Sequence, residues 1–221
     1  MMNKKKVLMY LRVAISFMVA SGHSYGFLTH NDIVPVFADD GGQKSQEIET
    51  NVINGASLFL RSQSQALLLL NEYELSGLQP FNSKNALEYV VNAIKLLEGA
   101  WTRYMNAGAI GKNLGYYPAR INGFKTFDYD GFILENNLNK EIAKKVQGYL
   151  SQGDIIGIYQ QTADDIAAIL TTLNAIKEHL KIGVKPGISL FWKLFQQYAE
   201  SSLFGNYTTL MARTVLDIPV D

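Results

Sequence analysis

SKNALEYVVNAIKLLEGAWTRY, residues 83 to 104, decides the fold class. Leu87, Val90, Ile94, Leu97, Trp101 and Tyr104 recur at alternating steps of three and four. A repeat averaging about 3.5 residues lays one apolar stripe along a helix and packs it against antiparallel neighbours. Gly77 and Pro80 end whatever precedes it, and Asn82 or Ser83 can cap its start. On this spacing Trp101 is expected to be a core anchor.

Upstream, Ile48, Val52, Gly55, Phe59, Ser62, Ala66, Leu69 and Tyr73 keep the same steps, with Ile53, Leu60 and Leu67 as a second row. They predict a helix over residues 45 to 76, about 50 Å long at about 1.5 Å per residue. Ser45 is placed to cap it. Its middle, Arg61-Ser62-Gln63-Ser64-Gln65, is polar between two apolar blocks. Arg61, Ser62 and Gln65 therefore form a secondary candidate site, a polar niche inside a helical bundle, against the simpler reading of a solvated helix face.

Downstream, helical patterning stops at Gly108, Gly111, Gly115 and Pro118, and resumes near Leu138. The insert, residues 108 to 137, contains Asn122-Gly123, a pair favoured in two-residue hairpin turns because both positions tolerate positive φ. It predicts an irregular or small β-hairpin insert between the second and third long helices. Asn139 or Asn137 can cap a short helix through Ile142, Val146 and Leu150, with Gly153-Asp154 as a joint. A helix is expected over 154 to 181, ended by Gly183, and a last one over 187 to 216, opened by Pro186 and open to a bend at Gly205-Asn206. The expected fold is all-α, an antiparallel up-down four-helix bundle carrying this insert.

The start of the chain reads differently. Lys4, Lys5, Lys6 and Arg12 precede an apolar run from Val13 to Ala20 and then small and polar residues, which is the order of an export signal. Residues 1–26 are expected to be a cleaved signal peptide and 27–43 a flexible lead-in holding Pro35 and Asp39-Asp40-Gly41-Gly42; 44–221 are expected to form one domain. Those four cations are among the 20 basic residues, so residues 27–221 keep 16 against 20 acidic ones, a net of −4. A weakly acidic body argues against nucleic-acid binding, which needs basic surface to neutralise phosphates. No later run reaches the roughly 20 apolar residues of a membrane span. Localisation is expected in the periplasm or outside the cell.

With no cysteine and only His23, His30 and His179, thiolate chemistry, iron–sulfur ligation and ordinary zinc sites lack their ligands. No phosphate loop or nucleophile elbow occurs, so no catalytic residue, metal or cofactor is assigned. Asp128 with Glu135, or Asp164 with Asp165, are the carboxylate pairs available to a hydrolase. The second pair is adjacent in sequence and points about 100° apart on a helix, as on a solvated face. Asp128-Tyr129-Asp130-Gly131 has oxygen ligands and a turn glycine like a calcium loop, without the remaining ligand positions.

The insert concentrates Tyr116, Tyr117, Arg120, Phe124, Phe127, Asp128, Tyr129 and Asp130. Rings beside a few charges suit a small ligand or a partner protein; the same rings would equally cap the bundle as a satellite core. Ile53-Asn54-Gly55-Ala56-Ser57-Leu58, with Arg61-Ser62-Gln63 beyond, resembles the first-helix motif of periplasmic four-helix sensor domains of the nitrate-sensor and pilus-chemotaxis type. The likeness covers one helix, departs from the motif by one residue of register and lacks its arginine pattern; it implies a small anion held between helices with Arg61 as donor. The expected function is non-enzymatic binding of a small ligand or an envelope protein, with a structural role in an envelope assembly as the alternative.

Overall fold

The computed structural model describes residues 37–38, 42–75, 81–116 and 118–216, with backbone alone for 37, 38, 74, 75, 116 and 118–120. The expected signal peptide and most of the lead-in lie outside these residues. The described chain is almost wholly helical: β1 (Phe37–Ala38), α1 (Gln43–Leu75), α2 (Ser83–Lys112), β2 (Gly115–Tyr116), α3 (Pro118–Thr126), α4 (Tyr129–Glu135), α5 (Lys140–Leu150), α6 (Ile155–Lys181) and α7 (Ile188–Leu216).

Helix starts follow local hydrogen-bond chemistry. The side chains of Asn82, Asp128, Asn139 and Asp154 accept from the backbone N–H of Asn85, Gly131, Ile142 and Gly157, at 3.1, 3.0, 3.2 and 2.8 Å. Each satisfies one of the four amide donors that a helix leaves without an internal partner. Ser45 does not cap α1, which starts two residues earlier, with Gln46 N–H donating to the Gly42 carbonyl at 2.9 Å. Gly183 ends α6 in the left-handed region, φ +72°, as its position in the sequence suggested.

Several expectations need correction. The 108–137 insert carries no local hairpin at Asn122-Gly123, because both residues lie inside α3. Gly123 leaves α3 close to α7, where a Cβ would stand 3.4 Å from Val215 Cγ1. Pro118, expected to close off helix, instead begins one, its missing N–H being harmless at a first helical position. The strand pairing among the described residues is long-range, Phe37 opposite Tyr116 and Ala38 opposite Gly115. And α2 runs through Gly108 to Lys112 before it stops.

The remaining correction concerns the core. Trp101 is 39% exposed and Leu87 is only half-buried, whereas Ala86, Ala93, Ala100 and Ala107 are wholly buried. They stand seven residues apart, beside a second heptad row of Val90, Leu97, Tyr104 and Gly111. Val90, Ile94, Leu97 and Tyr104 of the expected stripe are buried, and the seam shifts toward the alanines only at Leu87 and Trp101. Small side chains let backbones approach, and α2 lies close along both α1 and α6. A Cβ on Gly55 of α1 would meet the Tyr104 ring at 3.0 Å, and one on Gly99 would meet Leu58 at 3.1 Å. On α6 the buried rows are Ile155, Thr162, Ile169, Ile176 and Tyr159, Ile166, Leu173, Leu180.

α7 is held at longer reach, by rings and polar side chains. Its Phe191 packs on Tyr73 of α1 with centroids 4.2 Å apart, and Tyr198 packs on Phe59 at 5.5 Å. Tyr198 OH donates to Ser62 Oγ at 3.1 Å, and Gln63 Nε2 to Ser202 Oγ at 2.6 Å. α7 runs unbroken through Gly205-Asn206.

Candidate functional site

The described rings of the insert pack against one another, while Asp130 lines a groove beside them. Phe124 is wholly buried and Tyr129 is 3% exposed; the Tyr129 hydroxyl donates to the Phe124 carbonyl at 2.9 Å. Phe127 stands edge-on to Tyr129 at 4.9 Å and tilted against Phe132 at 5.5 Å. Asp128 is the cap of α4, and Asp130 is an exposed partner of Lys144, which pulls its carboxyl below the usual range. The side chains of Tyr116, Tyr117 and Arg120 lie outside the described residues. The described rings belong to the main hydrophobic core, Phe124 and Tyr129 within it and Phe127 and Phe132 packed against it. A shallow groove of about 360 Å³ lies beside them, between Ile133, Leu134, Leu138 and Lys144.

In the polar band of α1, Arg61 is exposed and Gln65 half-buried, while Ser62 and Gln63 are buried and engaged with α7 as above. Ser62 Oγ also donates to the Phe59 carbonyl at 2.6 Å. The buried polar groups of this band are thus satisfied within the protein, and its cation points outward.

A larger opening lies elsewhere, between α5, α6 and α7: a cleft of about 610 Å³. Its walls are Asn139, Glu141, Ile142 and Lys145 of α5, Asp165 and Ala168 of α6, and Gln196 to Phe204 of α7 in part. Asp165 is central to its charge. The side chain is 23% exposed, accepts from Gln161 Nε2 at 2.7 Å and has Lys145 Nζ at 3.5 Å. Burial raises its pKa above the ordinary value; Lys145 and the Gln161 amide oppose that rise without cancelling it. Gln161 in turn accepts from Tyr149 OH at 3.0 Å, so Tyr149, Gln161, Asp165 and Lys145 form one chain of polar contacts. Burial raises the Tyr149 pKa, and the negative field of Asp154, Asp165 and Asp164 adds to it. The Lys145 ammonium also lies 5.3 Å from the centre of the Phe204 ring.

The α7 wall is partly closed on itself. Gln197 accepts from Thr172 Oγ1 at 2.8 Å and donates to the Ala168 carbonyl at 3.3 Å, and Gln196 donates to Glu200 at 2.8 Å. Ser201 is different. It is 2% exposed, it lines the cleft, and its hydroxyl has no hydrogen-bond partner among the described residues. The hydroxyls of Tyr104 and Thr209 share that condition but do not line the cleft. A buried hydroxyl left without a partner is unfavourable by about 1–3 kcal/mol, and a bound ligand that reached it would relieve this.

Sequence pattern did not lead to this site. Asp165 reads as half of an exposed pair with Asp164, and only the fold distinguishes them: Asp164 is exposed while Asp165 turns toward α5. One signal was available, the adjacent Ser201-Ser202 pair in the middle of α7. No three His, Cys, Asp or Glu side chains among the described residues are grouped so as to hold a metal ion. No described helix is long and apolar enough to cross a membrane. Comparison of the chain with protein-family profiles, with curated proteins and with solved structures yields no match.

Proposed function

We propose that this is an exported, non-enzymatic protein whose four long helices, α1, α2, α6 and α7, form an antiparallel up-down bundle, and which binds a small ligand in the cleft between α5, α6 and α7. The observation that carries the reading is an open cleft that holds the half-compensated Asp165 carboxylate, with the unpartnered Ser201 hydroxyl just beneath its α7 wall. Ligand sites combine concave apolar surface with a few polar groups that fix orientation, and here Ile142, Leu203 and Phe204 supply the apolar part. The insert, with its described rings packed together, supports the end of the helices beside the cleft. Export rests on the basic and apolar N-terminal segment, residues 1–26, and the mature chain is expected to begin at residue 27.

A thermal-shift screen with the mature protein and an Ala199→Phe variant, which fills the cleft from its α7 wall, tests this. A ligand present at about 100 times its Kd stabilises the folded state by about 2.7 kcal/mol. Such a shift is expected for the wild type and is expected to vanish in the variant; equal shifts in both would place binding elsewhere.

A further inference from the structure

We infer that the cleft takes a small organic cation, an alkyl ammonium whose charged head lies against Asp165 and Ser201 and whose chain lies on Ile142 and Phe204. The inference rests on the cleft being a ligand site. Its charge argues for the class: Glu141, Asp165 and Glu200 line it against the one cation Lys145, leaving a formal excess of two negative charges. The deepest of the three carboxylates, Asp165, is only partly served, with Gln161 at hydrogen-bond distance and Lys145 at 3.5 Å. Lys145 itself is 44% exposed and divides its position between this carboxylate and the Phe204 ring. A neutral or anionic head would leave that excess uncompensated in a partly desolvated place, whereas an ammonium brings three N–H donors and no acceptor. The unpartnered Ser201 oxygen lies just beneath the cleft wall, with less than 1 Å² exposed, and a turn of its side chain toward the cleft brings its acceptor lone pairs to a second of those donors. Ile142 and Phe204 beside these groups suit a short methylene chain.

Lys145 is then a competitor of the ligand rather than part of its recognition. Removing it vacates the carboxylate and the ring face together. This separates a cation site from an anion site, in which the same residue would be the main attraction.

The test is calorimetric titration of the mature protein with four probes matched in length: butylamine, putrescine, butanol and butyrate. Putrescine and butylamine are expected to bind, with butanol and butyrate at least about tenfold weaker, the discrimination typical of a charge-assisted hydrogen bond. Asp165→Asn is expected to remove the preference for the amines by about the same factor, and Lys145→Gln to strengthen amine binding severalfold. Glu200→Gln, at the cleft rim, weakens it less and serves where Asp165→Asn alters folding, which a far-UV spectrum reveals. Butanol or butyrate binding as well as the amines, or Lys145→Gln abolishing binding, would keep the cleft as a site and overturn the cation assignment. No heat with any probe, together with no ligand in the thermal-shift screen, would overturn the site itself.

Discussion

The two sides of this molecule are built on different principles. On one, α2 lies between α1 and α6 on an alanine every seventh residue, and atoms are within about 3 Å of where a glycine Cβ would stand. On the other, α7 is reached by aromatic rings and by polar side chains, with buried serines and threonines along its length. Small residues give close backbones and dense packing, which leave no room for anything else. Long side chains hold helices apart, and gaps then open wherever a ring is missing. The cleft lies on that second side, where α5 is too short, at 11 residues, to line the whole of α6 and α7.

The strongest break of this contrast is Gly55→Leu. It drives a side chain into the Tyr104 ring, 3.0 Å from where a Cβ would lie, and is expected to cost about 1–3 kcal/mol in chemical denaturation. The larger change Ala199→Phe, on the cleft wall, is expected to stay within about 0.5 kcal/mol of wild type. Equal losses would mean that both sides are packed alike.

Next come two neighbouring serines. Ser202→Ala removes the partner of the buried Gln63 amide and is expected to lower stability by about 1–3 kcal/mol. Ser201→Ala removes a buried hydroxyl that has no partner, and is expected to be neutral or to stabilise by up to about 1 kcal/mol. Opposite behaviour at consecutive positions would show that one face of α7 is satisfied and the other is waiting for a ligand. A loss at both would remove the ground for that distinction.

Asp165→Asn gives a smaller, pH-dependent effect. Its folded pKa is raised above 3.8, so the folded state holds the proton more tightly than the unfolded chain. Stability therefore falls as pH rises from the ordinary aspartate range through the raised value. Lys145 of α5, Glu200 of α7 and Asp164 on the same helix surround the group, and Lys145 moderates the loss. The asparagine variant lacks this fall, so its melting temperature is expected to exceed that of wild type at neutral pH and to converge with it below pH about 4. A variant that melts lower at neutral pH would mean that the Lys145 and Gln161 contacts outweigh burial.

The helices were legible because their caps and stripes are local. Asn82, Asn139 and Gly183 mark ends through chemistry within one turn. Which side of a stripe is buried is not local: Leu87 and Trp101 outweigh Ala86 and Ala100 in hydrophobicity, yet the alanines are the wholly buried ones because only they permit the approach. Asn122-Gly123 shows the same limit, since a strong turn pair is helical where α3 needs to pass α7 closely. The aromatic insert was conspicuous by composition, and composition does not separate a binding surface from a packed one. Asp165 was inconspicuous because its environment is supplied by α5 and α7, from 20 residues before it to 39 after, Lys145 to Phe204.

Amide chemical-shift mapping with the four matched probes addresses the placement of the site directly. The account predicts that amides around Lys145, Asp165 and Ser201 move on addition of an amine while those of α1 and of Phe124 to Tyr129 stay still. Movement concentrated in the insert, with the α5–α6–α7 cleft unchanged, would contradict it.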